Sequence, residues 1–227
     1  MIKGFRGTSL VDYPGRVAAV VYLGGCNLRC PYCYNVDLVL PDRVKALPDI
    51  AVEDVVKELN KRRGFIDAIV VTGGEPLLHP DLTKRLCLEA RALGLLAKVD
   101  TNGSYPERLK ELLGVVDYVA LDVKTSPDRY HLLRGSWEPV EGSIDLLKSW
   151  SGEYEIRITA VPPLVDEDSL LALLPVLDGV KRVAIQKFIP NWGTLDPSYG
   201  TIHPYTREEM EKLARILKGR VGEVIIR

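Results

Sequence analysis

Seven short apolar runs, separated by segments of helical periodicity, constrain the fold of this chain more than any other feature. They cover residues 17–23, 66–72, 96–100, 118–123, 154–161, 183–188 and 221–226. Each is the length of one strand, and the continuous ones carry no polar face, the pattern of strands buried on both sides. Between them Val52, Val55, Val56 and Leu59 recur at helical spacing, as do Leu82, Leu86, Ala90 and Leu93. Gly94 is placed to cap the second of these helices. Residues 166–177 are Leu-rich and helical, and Thr206 with Glu209 forms a capping-box pattern ahead of Met210, Leu213, Ala214 and Leu217. Strand–helix alternation predicts an α/β fold, a parallel sheet with outer helices joined by right-handed crossovers. Periodicity alone leaves open whether that sheet is doubly wound, a barrel or a partial barrel. At 227 residues the chain suits a single domain spanning 1–227.

Several apolar runs finish in residues that a core strand does not need. These endings are Gly24-Gly25-Cys26, Gly73-Gly74-Glu75, Asp100-Thr101-Asn102-Gly103, Asp122-Val123-Lys124, and Arg157 within its run. In parallel α/β folds the C-terminal strand ends build the active site. Any one of these could be a turn or a helix cap, as Asn102-Gly103 would be alone. Five in sequential register are hard to attribute to turns.

The first of these endings leads into Cys26-Asn-Leu-Arg-Cys30-Pro-Tyr-Cys33. Thiolates gathered this tightly bind soft metal. An iron–sulfur cube normally takes four Cys ligands, so three leave one iron open for chemistry. Structural zinc would need a fourth ligand, and His79, His131 and His203 are all distant in sequence. Cys87 lies on the flank of the Leu82/Leu86/Ala90 face and reads as a small buried apolar residue. With no other Cys available, a second cluster is excluded.

Bulk properties narrow the partners. The chain has 30 basic and 31 acidic residues and a net charge of −1, without the basic excess of a nucleic-acid binder. The Lys57–Arg63 charge run reads as the solvated end of a helix. No stretch approaches the roughly 20 apolar residues that span a bilayer. The N-terminus lacks the apolar segment of a signal peptide, so the expected location is the cytoplasm, where thiols stay reduced.

The C-x3-C-x2-C spacing, with Tyr32 before the last Cys, resembles the cluster motif of the radical S-adenosylmethionine (SAM) enzymes. Gly73-Gly74-Glu75-Pro76 is similar to that family's Gly-Gly-Glu motif. Asp100-Thr101-Asn102-Gly103 and Leu121-Asp122-Val123-Lys124 resemble the subgroup of activating enzymes that install a glycyl radical on a partner. Ser9–Gly15, Asp128–Gly135 and Thr194–Pro197 fit the same subgroup, so the resemblance covers nearly the whole chain. It implies a partial (β/α)6 TIM-like barrel with a [4Fe–4S] cluster on Cys26, Cys30 and Cys33. It implies SAM bound with Tyr32 on the adenine and Gly73, Gly74 and Glu75 at the amino group. Asp100, Asp122, Lys124 and Arg157 would address the ribose, carboxylate or an ion, and Asp100, Thr101 and Asp122 could hold a monovalent cation. The implied partners are a glycyl-radical enzyme, foremost an anaerobic ribonucleotide reductase, and an electron donor of flavodoxin or ferredoxin type. The pyruvate formate-lyase activators carry a SAM-contacting His after the last barrel strand, where this chain reads Lys187-Phe-Ile-Pro-Asn191; this departure favours the reductase activators. Two alternatives stand beside this reading: a radical SAM enzyme acting on a small molecule such as a deazapurine precursor, and a zinc-stabilised binding module.

Overall fold

The computed structural model describes residues 1–190 and 193–227; Asn191 and Trp192, part of the departure and of the long segment after it, lie outside the described residues. Eight strands follow one another in chain order in a mostly parallel sheet. The chain divides into two compact units.

Unit one comprises Met1–Asn27, Asn35–Thr101 and Glu107–Val119. It contains β1 (Ile2–Ser9), β2 (Ala18–Leu23), α1 (Val36–Val39), α2 (Pro41–Ala46), α3 (Val52–Lys61), β3 (Ala68–Gly73), α4 (Pro80–Ala92), β4 (Leu96–Thr101) and most of α5 (Pro106–Leu112). β2, β3 and β4 are parallel neighbours, with Leu23 opposite Gly73 and Val71 opposite Val99. Their apolar runs are continuous because both faces are covered: Val20, Val21, Ile69, Val70, Val71 and Val99 have no exposure. Each such side chain contributes about 1.5–3 kcal/mol of transfer free energy. α4 packs against β3 and β4 through Leu86, Cys87 and Ala90.

Where the sequence suggested no strand, β1 runs antiparallel to β2, with Phe5 opposite Val21. Gly4, Gly7 and the charges Lys3 and Arg6 break the apolar pattern, as befits an edge strand shielded by polar groups. Arg62 lies over the Phe5 ring, 5.8 Å from its centroid.

Unit two comprises Leu28–Tyr34, Asn102–Pro106 and Ala120–Arg227. It holds most of β5 (Tyr118–Val123), then α6 (Glu138–Ser149), β6 (Glu153–Ala160), α7 (Glu167–Leu177), β7 (Arg182–Lys187), α8 (Arg207–Leu217) and β8 (Glu223–Ile226). β6, β7 and β8 are parallel, with Ile156 opposite Val183 and Ala184 opposite Ile225. The predicted capping box is present: Thr206 accepts from the Glu209 N–H, and Glu209 accepts from Thr206. Asp166 caps α7 by accepting from the Ser169 N–H at 2.8 Å. The seven predicted runs correspond to β2–β8, and β1 adds an eighth strand at the edge of the sheet order. Among the described residues no helix is long and apolar enough to cross a membrane.

Candidate functional site

In unit one, the β2–β3 register sets the end of β2 beside the Gly-Gly-Glu sequence. The Gly74 N–H donates to the Leu23 carbonyl at 2.8 Å and the Glu75 N–H to the Gly25 carbonyl at 2.7 Å. A Cβ added at Gly74 would run into the carbonyl oxygens of Gly25 and Leu38, and one at Gly73, where φ is +124°, into the Leu23 backbone. The two glycines therefore let the approach to the first Cys lie flush against the end of β3. His79 Nε2 lies 2.9 Å from the Gly24 carbonyl oxygen, tying the same loop to the start of α4. Cys26 emerges from this clamp half-buried.

Glu75 has no exposure. Its carboxylate accepts from the Leu77 N–H at 2.9 Å, capping the 3-10 turn Pro76–Leu78, and from the Thr101 hydroxyl at 2.8 Å. Two residues before Asp100, Lys98 puts its Nζ 2.6 Å from Asp100 Oδ1 and 2.6 Å from the Asp12 carbonyl oxygen. Lys98 was not among the residues the sequence singled out, because a lone Lys in an apolar strand reads as a snorkelling charge. The i, i+2 spacing on one strand, which shares a face, was the available signal.

In unit two, Cys30 and Tyr32 are buried and Cys33 half-buried. The Cys33 N–H donates to the Cys30 carbonyl at 3.0 Å, closing a turn over Pro31 and Tyr32. This turn is held from two sides. The Arg29 N–H donates to the Leu133 carbonyl at 2.8 Å, while the Leu195 and Asp196 N–H groups donate to the Cys33 and Pro31 carbonyls, each at 2.9 Å. The long Gly/Pro-containing segment after β7 thus straps the backbone of the Cys turn, a role its sequence did not disclose. The Tyr32 ring meets Phe188 edge-on with centroids 6.2 Å apart.

Asp122, Lys124 and Arg157 form one ionic group on β5 and β6. Arg157 grips both carboxylate oxygens of Asp122, Nε to Oδ1 at 2.6 Å and Nη2 to Oδ2 at 3.1 Å, and Lys124 Nζ lies 2.9 Å from Oδ2. Burial works to raise the Asp122 carboxyl, but the Arg157 and Lys124 charges more than offset it and hold it well below the usual carboxylate range. For Lys124 burial opposes the charged form, and the Asp122 carboxylate foremost overcomes it, so its ammonium is retained far above the ordinary range. The Tyr130 hydroxyl accepts from the Lys124 N–H at 3.1 Å. Arg157 and Lys124 thus both meet the Asp122 carboxylate at the end of β5.

Among the described residues one polar atom here lacks a partner: the Tyr32 hydroxyl is buried and makes no hydrogen bond to any of them. A stranded buried hydroxyl costs about 1–3 kcal/mol, so this is where a ligand with a polar edge would be welcomed. Among the described residues no three His, Cys, Asp or Glu side chains are gathered as a ready-made ion site. Three thiols as the donor set suit an iron–sulfur cube, and the Tyr32 hydroxyl suits a nitrogenous ligand beside it.

Residues 20–174 match the radical SAM superfamily, and the chain belongs to it. A glycyl-radical enzyme activating enzyme of Methanocaldococcus jannaschii, so named, is 32% identical over 100% of this chain and 95% of its own. The pyruvate formate-lyase 1-activating enzyme of Escherichia coli K12 is 32% identical over 96% of this chain and 94% of its own. Within the superfamily the chain is therefore a member of the glycyl-radical-enzyme activating enzymes. The structure of Streptococcus suis SuiB bound to S-adenosylmethionine superposes with a TM-score of 0.67 at 12% identity, over 92% of this chain and 51% of SuiB. The chain spans about half of that structure, and the likeness places the fold among the α/β, TIM-like radical SAM cores. SAM and a [4Fe–4S] cluster are the cofactors of this family. Membership sets aside the zinc-stabilised binding module.

Proposed function

We propose that this enzyme generates a glycyl radical on a partner protein of the anaerobic ribonucleotide reductase type, as a single radical SAM core over residues 1–227. Bound together and reduced, the [4Fe–4S] cluster and SAM supply a one-electron cleavage of the sulfonium and a carbon radical that abstracts hydrogen. In this reading Cys26, Cys30 and Cys33 hold the cluster and Tyr32 packs on the adenine, its unpartnered hydroxyl giving that end of the pocket a polar contact. Gly73 and Gly74 offer backbone carbonyls to the SAM ammonium. Glu75, enclosed and already accepting from Leu77 and Thr101, positions that backbone rather than touching the ligand itself. Asp122 orients Lys124 and Arg157, whose cationic ends would address the SAM carboxylate. Asp100 and Thr101 would address the SAM ribose, its carboxylate or an ion, as the resemblance implies.

The observation that carries the reading is full-length similarity, at 32% identity, to a relative named for glycyl-radical enzyme activation. The ribonucleotide reductase type is favoured by residues 187–191, Lys-Phe-Ile-Pro-Asn, where the pyruvate formate-lyase activators carry a His. An electron donor of flavodoxin or ferredoxin type would reduce the cluster. The test is electron paramagnetic resonance after mixing the reduced, reconstituted enzyme with SAM and an anaerobic ribonucleotide reductase, or separately a pyruvate formate-lyase. A glycyl doublet with the reductase supports the reading. A doublet only with the lyase overturns the choice of partner, and SAM cleavage with neither doublet overturns the activating function.

A further inference from the structure

The family resemblance assigns Asp100, Thr101 and Asp122 to a monovalent cation beside SAM, yet in this chain each is already engaged, Asp122 by Arg157 and Lys124. The Thr101 hydroxyl donates to Glu75. Asp100 is met by an ammonium of the protein's own: Lys98 lies two residues earlier on β4, on the same face, with Nζ 2.6 Å from Asp100 Oδ1. The Lys98 side chain is 1% exposed. Its Nζ also donates to the Asp12 carbonyl at 2.6 Å and lies 5.7 Å from the centre of the Tyr118 ring. The Asp12 end is itself fixed, since the Ser9 hydroxyl donates to the Asp12 carboxylate. A buried ammonium requires its counter-ion, because breaking one half of a buried pair leaves an uncompensated charge. A second cation at Asp100 would also stand within a few ångströms of the first, where like charges in a low-dielectric interior repel strongly. These residues do not fit an exchangeable ion.

We infer that Lys98 is a positioning residue that replaces the exchangeable cation: its ammonium takes the ion's place at Asp100, so this enzyme binds SAM without sodium or potassium. The inference rests on the reading that Asp100 and Thr101 stand beside SAM, and the test separates the two. The reconstituted holoenzyme is titrated with SAM by equilibrium dialysis in potassium, sodium or choline chloride at one ionic strength. The melting temperature is recorded in the same salts before SAM is added. The inference expects dissociation constants within about twofold of each other and no melting shift specific to potassium or sodium. A coupling between ion and SAM of the usual size would instead weaken binding in choline about tenfold or more, and that result overturns it. Failure to bind SAM in any salt overturns the SAM reading and the inference with it. Lys98→Met should create the dependence: SAM binding weak in choline and recovered in potassium. A folded K98M enzyme with the same affinity in choline and potassium, equal to that of the wild type, overturns the inference. If that variant does not fold, the wild-type comparison decides alone.

Discussion

The Asp122 group shows how three side chains set one another's charge. Arg157 is 14% and Lys124 18% exposed, so neither is a freely solvated cation, and each depends on Asp122 for its place. Replacing Lys124 by Met removes one of the two cations at Asp122 while leaving the Arg157–Asp122 fork intact. The expected outcome is SAM affinity reduced about tenfold, or about 1.4 kcal/mol, measured by equilibrium dialysis, with the melting temperature little changed. Asp122 also gives a pH signature. Its carboxyl is held below its unfolded value, so the stabilisation is complete above about pH 4 and fades as pH falls further. Thermal melts from neutral pH to pH 3 should show this acid-side slope, and Asp122→Asn should flatten it. Burial, aided by Asp117, pushes the Cys87 thiol up to about 12, so Cys87 should be the last Cys alkylated at pH 8, as peptide mass spectrometry would record. At this scale the sequence disclosed residue types better than partners. Cys87 read correctly as core, and the polar strand ends were visible as such. The engagement of Glu75 by Leu77 and Thr101, and of Asp100 by Lys98, was not visible, since strand ends carry no record of which neighbour they face.

Among the elements, the approach to the cysteines depends on backbone contact. Gly74→Ala would force a Cβ against the Gly25 and Leu38 carbonyls, where no flexible side chain can yield. We expect a loss of about 1–3 kcal/mol by denaturant melts, together with weaker cluster retention by iron analysis, because the displaced backbone leads directly into Cys26. Thr206→Ala at the α8 cap should cost about 1 kcal/mol of stability and leave SAM cleavage unchanged, which separates general destabilisation from damage at the loop. The parallel strands and the α8 cap were legible because buried strands are continuously apolar and capping boxes are local. β1 was missed because its two glycines and two charges hide the alternation that an edge strand does not need. The strap at Leu195 and Asp196 was missed for another reason: it works through backbone N–H groups, which any residue other than Pro supplies.

At the scale of the molecule, the strand order follows the chain order, so successive strand ends carry successive motifs, and a linear reading could anticipate which segments matter. The identity of the partner lies outside that logic, because it depends on a surface that a second protein must recognise. The central claim is hydrogen abstraction from a backbone glycine of that partner. It is tested most directly by supplying a partner labelled with deuterium at glycine α-carbons and weighing the 5′-deoxyadenosine released from SAM. The account predicts 5′-deoxyadenosine one mass unit heavier, in proportion to the glycyl radical formed. SAM cleaved at an undiminished rate to unlabelled 5′-deoxyadenosine would contradict it.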